Sequence, residues 1–118
     1  MDANKPYQNK VWFQGTVAST PTSMTMGSGK KSCTFLISHV ESWLDTDGSP
    51  KQRRNVIPVE ALGKAAEYVL EQAALGLWIS VDGYLRSENA KGQTIIRIRA
   101  YSITIWRMDG SSSSSPAG

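Results

Sequence analysis

The chain has 118 residues, 40% hydrophobic and 19% charged, which leaves room for one small folded domain and excludes a multidomain enzyme. Thirteen Lys and Arg stand against ten Asp and Glu, a net charge of +3, too small an excess to identify a polyanionic partner by itself. No apolar run approaches the roughly 20 residues of a membrane-spanning helix, and Met1 to Pro6 do not read as a signal peptide. One cysteine, Cys33, and one histidine, His39, offer neither a disulfide framework nor a Cys- or His-rich metal site. The expectation is a cytoplasmic protein with no metal, cofactor or membrane segment.

Residues 1–9 are polar, contain Pro6 and read as a flexible arm ahead of a domain spanning 10–107. Residues 10–20 are rich in β-branched and aromatic types around Gly15, the composition of a strand bent at its glycine. Pro21 to Lys31 reads as a loop with a Gly-Ser-Gly tip. Cys33, Phe35 and Ile37 recur with period two, a strand with one core face. Residues 44–54 hold Asp45, Asp47, Gly48, Pro50 and three bases, and read as a long polar loop. Val56–Val59 forms a short strand that Pro58 confines to an edge or a bulge.

From Glu60 to Ala74 the pattern turns helical, with Leu62, Ala65, Ala66, Val69, Leu70 and Ala73 on one face and Gly76 placed as the residue that ends the helix. Next, Ile79, Val81, Gly83 and Leu85 alternate with Trp78, Ser80, Asp82, Tyr84 and Arg86. Ser87–Gly92 reads as a loop and Thr94–Trp106 as the last strand. Five consecutive serines make 108–118 a disordered tail. The fold class is therefore all-β with one helix. A helix between strands 3 and 4 of a five-stranded antiparallel sheet is the connectivity of the OB-fold barrel.

The residues also carry a resemblance. Asn9-Lys10-Val11-Trp12-Phe13-Gln14-Gly15-Thr16-Val17, with Thr20-Pro21, is similar to the start of PriB-type primosomal proteins. So is the run from Ser28-Gly29 through Cys33-Thr34-Phe35 to His39. Glu41-Ser42-Trp43 and Leu62-Gly63-Lys64-Ala65-Ala66-Glu67-Tyr68 are similar to the tetrameric single-strand binders, and Val81-Asp82-Gly83-Tyr84-Leu85-Arg86 fits both. Over residues 9–106 the chain thus resembles the bacterial single-stranded-DNA-binding and PriB family. The resemblance implies a non-enzymatic OB-fold that assembles as a homodimer or tetramer. It also implies binding to single-stranded DNA without strong sequence preference, in replication or replication restart. Replication or primosome proteins are further expected partners, and an interaction adaptor is the alternative reading. Where the family carries aromatics near 54–56, 62 and 90, this chain has Arg54, Asn55, Val56, Leu62 and Ala90, so Trp43 alone keeps a family stacking position.

Single-strand binding needs cations for phosphates and flat side chains for unstacked bases. Trp43 is either a stacking platform or a lid on the barrel. Tyr84 faces outward beside Arg86, toward DNA or toward another subunit. The candidate phosphate ligands are Lys30, Lys31, Lys51, Arg53, Arg54, Arg86, Lys91, Arg97 and Arg99, the last two sharing an outward face. Trp12, Gln14 and Trp78 form the expected oligomer interface, with base stacking the second reading for Trp12, while Trp106 is expected to cap the core. Cys33 has the inward phase of a core residue and is not expected to act as a nucleophile; no catalytic residue is expected.

Overall fold

The computed structural model describes residues 7–107 and the backbone of Ser112–Ser114. Strands β1 (Val11–Val17), β2 (Thr22–Thr25), β3 (Lys31–Leu44) and β4 (Pro50–Leu62) precede helix α1 (Gly63–Gln72). Then follow β5 (Trp78–Ala90), β6 (Gln93–Trp106) and β7 (Ser112–Ser114). Hydrogen bonding runs β1–β5–β6–β4–β3 and returns to β1 where Thr16 and Val17 pair with Ser38 and Ile37. Five strands therefore close into an OB-fold barrel, and closure removes most exposed edges. The pairs are antiparallel, except that β4 meets β6 in parallel at Val59–Ile98 and Glu60–Arg99.

Alternation supplies the core. Phe35, Ile37, Val59, Ile79, Val81, Ile98, Ile103 and Ile105 point inward, and α1 closes one end with Ala65, Ala66 and Val69. Two glycines let strands cross closely. A Cβ on Gly15 would lie 2.2 Å from the Ser38 carbonyl oxygen, and one on Gly83 would lie 2.1 Å from that of Arg99. Beside Gly83 the ladder slips: Asp82 faces Ser102 but Gly83 faces Ala100, so Tyr101 is an extra residue in β6. The bulge flips the inward phase from Ile98 and Ala100 to Ile103 and Ile105 and turns Tyr101 outward.

Several local expectations are corrected. The 21–31 segment is not all loop, because Thr22–Thr25 pairs with Lys31–Thr34. The polar 44–54 stretch is mostly strand: β3 and β4 pair without interruption from Ser32–Leu62 to Leu44–Pro50, leaving a turn at 45–49. Pro58 lies within this long strand, opposite Leu36, where β4 has not yet reached its second neighbour. The helix starts at Gly63, since Glu60, Ala61 and Leu62 are still paired with β3. Gly76 stands beyond the C-cap, Ala73, and donates its backbone N–H to Val17 O at 2.9 Å.

The expected loop at 87–92 is strand up to a two-residue turn at Lys91-Gly92, with φ of 51° and 77°, the backbone of a tight hairpin. At the termini, Asn9 is anchored: its Nδ2 donates to Leu85 O at 2.7 Å and its Oδ1 accepts from Leu85 N at 2.8 Å. Within the serine tail, Ser112–Ser114 pairs with Thr104–Trp106. The rest of the expected arm and tail, 1–6, 108–111 and 115–118, lies outside the described residues. Among the described residues no helix is long and apolar enough to cross a membrane.

Candidate nucleic-acid interface

The β3–β4 hairpin extends past the barrel and carries Trp43. Because its ladder is unbroken, Trp43 keeps the phase of Phe35 and Ile37, and it emerges beyond the core with 47% of its surface exposed. Lys51 lies directly opposite, and Glu41 and Arg53 form the next pair on that face. Asn55 Nδ2 donates to Glu41 Oε1 at 3.2 Å. Trp43 and Lys51 line a shallow depression of about 290 Å³ with Leu44 and Pro50, so an aromatic face and a free ammonium adjoin. Arg54 takes the other face of the hairpin, opposite Val40, and its Nε donates to Ser38 Oγ at 2.7 Å. The tip is ordered by its own bonds: Asp45 N–H donates to Ser49 O at 2.8 Å and Ser49 N–H to Asp47 Oδ1 at 2.9 Å. The backbone N–H of Ser49, with its side-chain hydroxyl, holds the Asp47 carboxyl below its ordinary value.

A second aromatic and cationic group lies near the start of α1. Tyr84 and Tyr101 have ring centroids 5.2 Å apart at 37°. With Lys30, Leu62, Gly63, Lys64 and Arg99 they line a cavity of about 390 Å³. Tyr101, 59% exposed, was absent from the sequence expectation. The signal was present in β6, where apolar residues shift from even positions (Ile98, Ala100) to odd ones (Ile103, Ile105).

Arg97 and Arg99 depart from expectation. They share a face, but neither is free. Arg99 Nε donates to Glu60 Oε1 at 2.6 Å, and Arg97 lies 3.6 Å from Glu60 and 2.8 Å from Glu88. The Arg97 and Glu60 side chains are only 20% and 18% exposed. The parallel β4–β6 pairing, invisible in a linear reading, brings Glu60 alongside Arg99. Arg86 and Lys91 on the β5–β6 hairpin are exposed, as are Lys30, Lys31, Lys51 and Arg53.

These residues do not form one patch. Lys31 begins β3 and Trp43 nearly ends it, a separation of about 40 Å along the strand at 3.3 Å per residue. Lys30 instead joins Tyr84. A third region collects Trp12, Gln14 and Trp78, which line a groove of about 500 Å³ with Phe13, His39 and Val40. Trp12 is 66% exposed. The His39 ring donates from Nδ1 to Gln14 O, 2.9 Å away, and its centroid lies 5.1 Å from that of Phe13. Trp106 is not a core cap: it lies opposite Trp78 on the outer face, its Nε1–H donating to Ser80 Oγ at 3.2 Å. Cys33 is buried, and burial pushes its thiol up to about 11, which leaves it protonated and inert near neutrality.

Residues 8–109 match the profile of the single-strand binding protein family. Replication restart protein PriB of Serratia proteamaculans is 28% identical over 83 residues, spanning 70% of this chain and 78% of that protein. The small single-stranded DNA-binding protein of Streptomyces coelicolor superimposes with a TM-score of 0.72 at 20% identity, over 90% of this chain and all of that one. The Plasmodium falciparum protein solved as an SSB complex with ssDNA gives 0.71 at 20% identity, over 82% and 90% of the two chains. At these identities the structural likenesses speak for the fold.

Proposed function

The chain belongs to the single-strand binding protein family, and from that premise we propose that it holds single-stranded DNA during replication or replication restart, as a non-enzymatic cytoplasmic protein. The observation that carries this reading is the β3–β4 hairpin, where a half-exposed Trp43 faces Lys51 beside Arg53. A base stacked on an aromatic face contributes about 1–3 kcal/mol whatever its identity, and the adjoining cations neutralise its phosphates. Lys30, Lys31, Arg86 and Lys91 supply separate cationic contacts for a longer strand, and Tyr84 with Tyr101 offers a second stacking surface. Arg54 is exposed and bonds the uncharged Ser38 hydroxyl, so its charge serves the bound strand, whereas Arg97 and Arg99 contribute by shaping the field, since both are paired with carboxylates. The groove of Trp12, Gln14 and Trp78 is largely apolar, and from Val11 to Gly15 its β1 edge pairs with β5 alone among the described strands, which supports its use between subunits of a homodimer.

Binding of a labelled oligothymidylate, followed by anisotropy against salt, tests this reading. With four to six phosphates neutralised, the log–log slope is about −3 to −4 for a single strand, and duplex of equal length competes poorly. Equal affinity for duplex, or no complex at low salt, contradicts the reading and leaves the interaction adaptor.

A further inference from the structure

A cavity of about 270 Å³ lies between the β2–β3 hairpin, β4 and the β5–β6 hairpin, lined by Thr22, Ser32, Thr34, Glu60, Glu88 and Arg97. These walls are the two central strands and the two connections by which OB-folds hold oligonucleotides. Its chemistry differs from that of the stacking surfaces. Two carboxylates share one wall with a guanidinium already engaged by both, and Arg99 is tied to Glu60 as well, so the cations of this cluster are already paired rather than held ready for a phosphate. Acceptors remain: Glu88 bonds Arg97 through Oε2 alone, and its side chain is half exposed. Donors remain too, in the Thr22 and Thr34 hydroxyls and in Arg97 Nε, which is buried with no hydrogen-bond partner. An unpartnered buried donor is unfavourable until something accepts from it. A turn of the guanidinium that offers Nε to a ligand carbonyl gives up the long 3.6 Å contact to Glu60 and re-aims the Nη2 that holds Glu88.

From this we infer that the cavity reads one base of the bound strand, and that the base it takes is guanine. The proposal rests on the single-strand-binding reading above. The groups left open suit a ligand that presents adjacent donors to a carboxylate next to an acceptor for a guanidinium or hydroxyl. The Watson–Crick edge of guanine does this, with N1–H and the 2-amino group beside O6. Thymine has one such donor between two acceptors, and adenine has no carbonyl. Splayed bases of single-stranded RNA are read by hydrogen bonds to their edges, and the bases of single-stranded DNA present the same edges. The result is a single-position preference on an otherwise sequence-tolerant interface.

The test compares the full chain on oligothymidylate with the same strand carrying one central guanine, inosine or adenine, by anisotropy at fixed salt. One guanine should tighten binding about tenfold, the order of one good bidentate base contact. Inosine, lacking the 2-amino group, should recover only part of that gain, and adenine none. In Glu88→Ala and Thr34→Val the guanine-to-thymine affinity ratio should fall toward one. That ratio is insensitive to the general gain in DNA affinity expected from deleting an acid. Equal affinity for all four strands overturns the base-reading role and leaves single-strand binding standing. A ratio unchanged in both variants does the same, while no binding to any strand overturns both.

Discussion

The β5–β6 crossing at Gly83 can be tested by one methyl group. A Cβ there would sit 2.1 Å from the Arg99 carbonyl oxygen, 3.0 Å from its carbon and 3.1 Å from Ala100 Cα. Carbon and oxygen rest comfortably at about 3.3 Å or more, so the strands must part by about 1 Å where the neighbours are backbone and cannot rotate away. Overpacking of this kind costs about 1–3 kcal/mol, and each ladder hydrogen bond lost adds about 1 kcal/mol. Gly83→Ala should therefore lose about 3 kcal/mol, a drop of about 10–15 °C in Tm for a domain of this size. The matched control is Gly27→Ala, where an added Cβ meets nothing within 4 Å and Tm should stay within about 2 °C. Thermal unfolding by circular dichroism reads both. Equal melting of the two variants would refute the claim that this glycine is required by close approach of backbone.

Glu60→Gln should free Arg99, while Arg97 keeps its 2.8 Å pair with Glu88, costing up to about 3 kcal/mol of stability at this mostly buried site while strengthening oligothymidylate binding and steepening its salt dependence; chemical denaturation and anisotropy separate the two effects. Lys91→Asn places Asn-Gly in a turn whose first residue already has φ of 51°; Tm should rise by a few degrees, and the salt slope should fall by about one phosphate equivalent. The Cys33 thiol, raised from 9.0 to about 11 by burial, favours the folded state fully below pH 9. That contribution is lost as pH rises from 9 through 11, because the unfolded chain then releases a proton the folded one keeps. Cys33→Ala should flatten that part of the stability profile, and native Cys33 should resist alkylation at pH 8 while the denatured chain reacts at once.

Much of the barrel was legible because its strands have one buried face. Cys33, Phe35 and Ile37 alternate, Ile79, Val81 and Gly83 alternate, and the Ala65, Ala66, Val69 stripe has helical spacing. The hairpins beyond the barrel were not legible: between Leu44 and Arg54 neither face is buried, so alternation carries no signal and Asp, Gly and Pro read as loop. The same cause hid the strand from Ser87 to Ala90. Residue type singles out Trp43, Lys51 and Arg53, and their grouping comes only from the register. The pairing of Arg97 and Arg99 with Glu60 depends on a parallel contact between strands distant in sequence, which no local pattern announces.

The central claim is that Trp43 stacks bases next to Lys51. Intrinsic fluorescence, titrated with oligothymidylate at two salt concentrations, measures it most directly in the unmodified chain and in Trp43→Phe and Trp12→Phe. The expected result is quenching that weakens as salt rises, lost in large part from Trp43→Phe and retained in Trp12→Phe. Quenching that survives in Trp43→Phe but disappears in Trp12→Phe would place the bases on the groove assigned to the subunit interface and contradict the account.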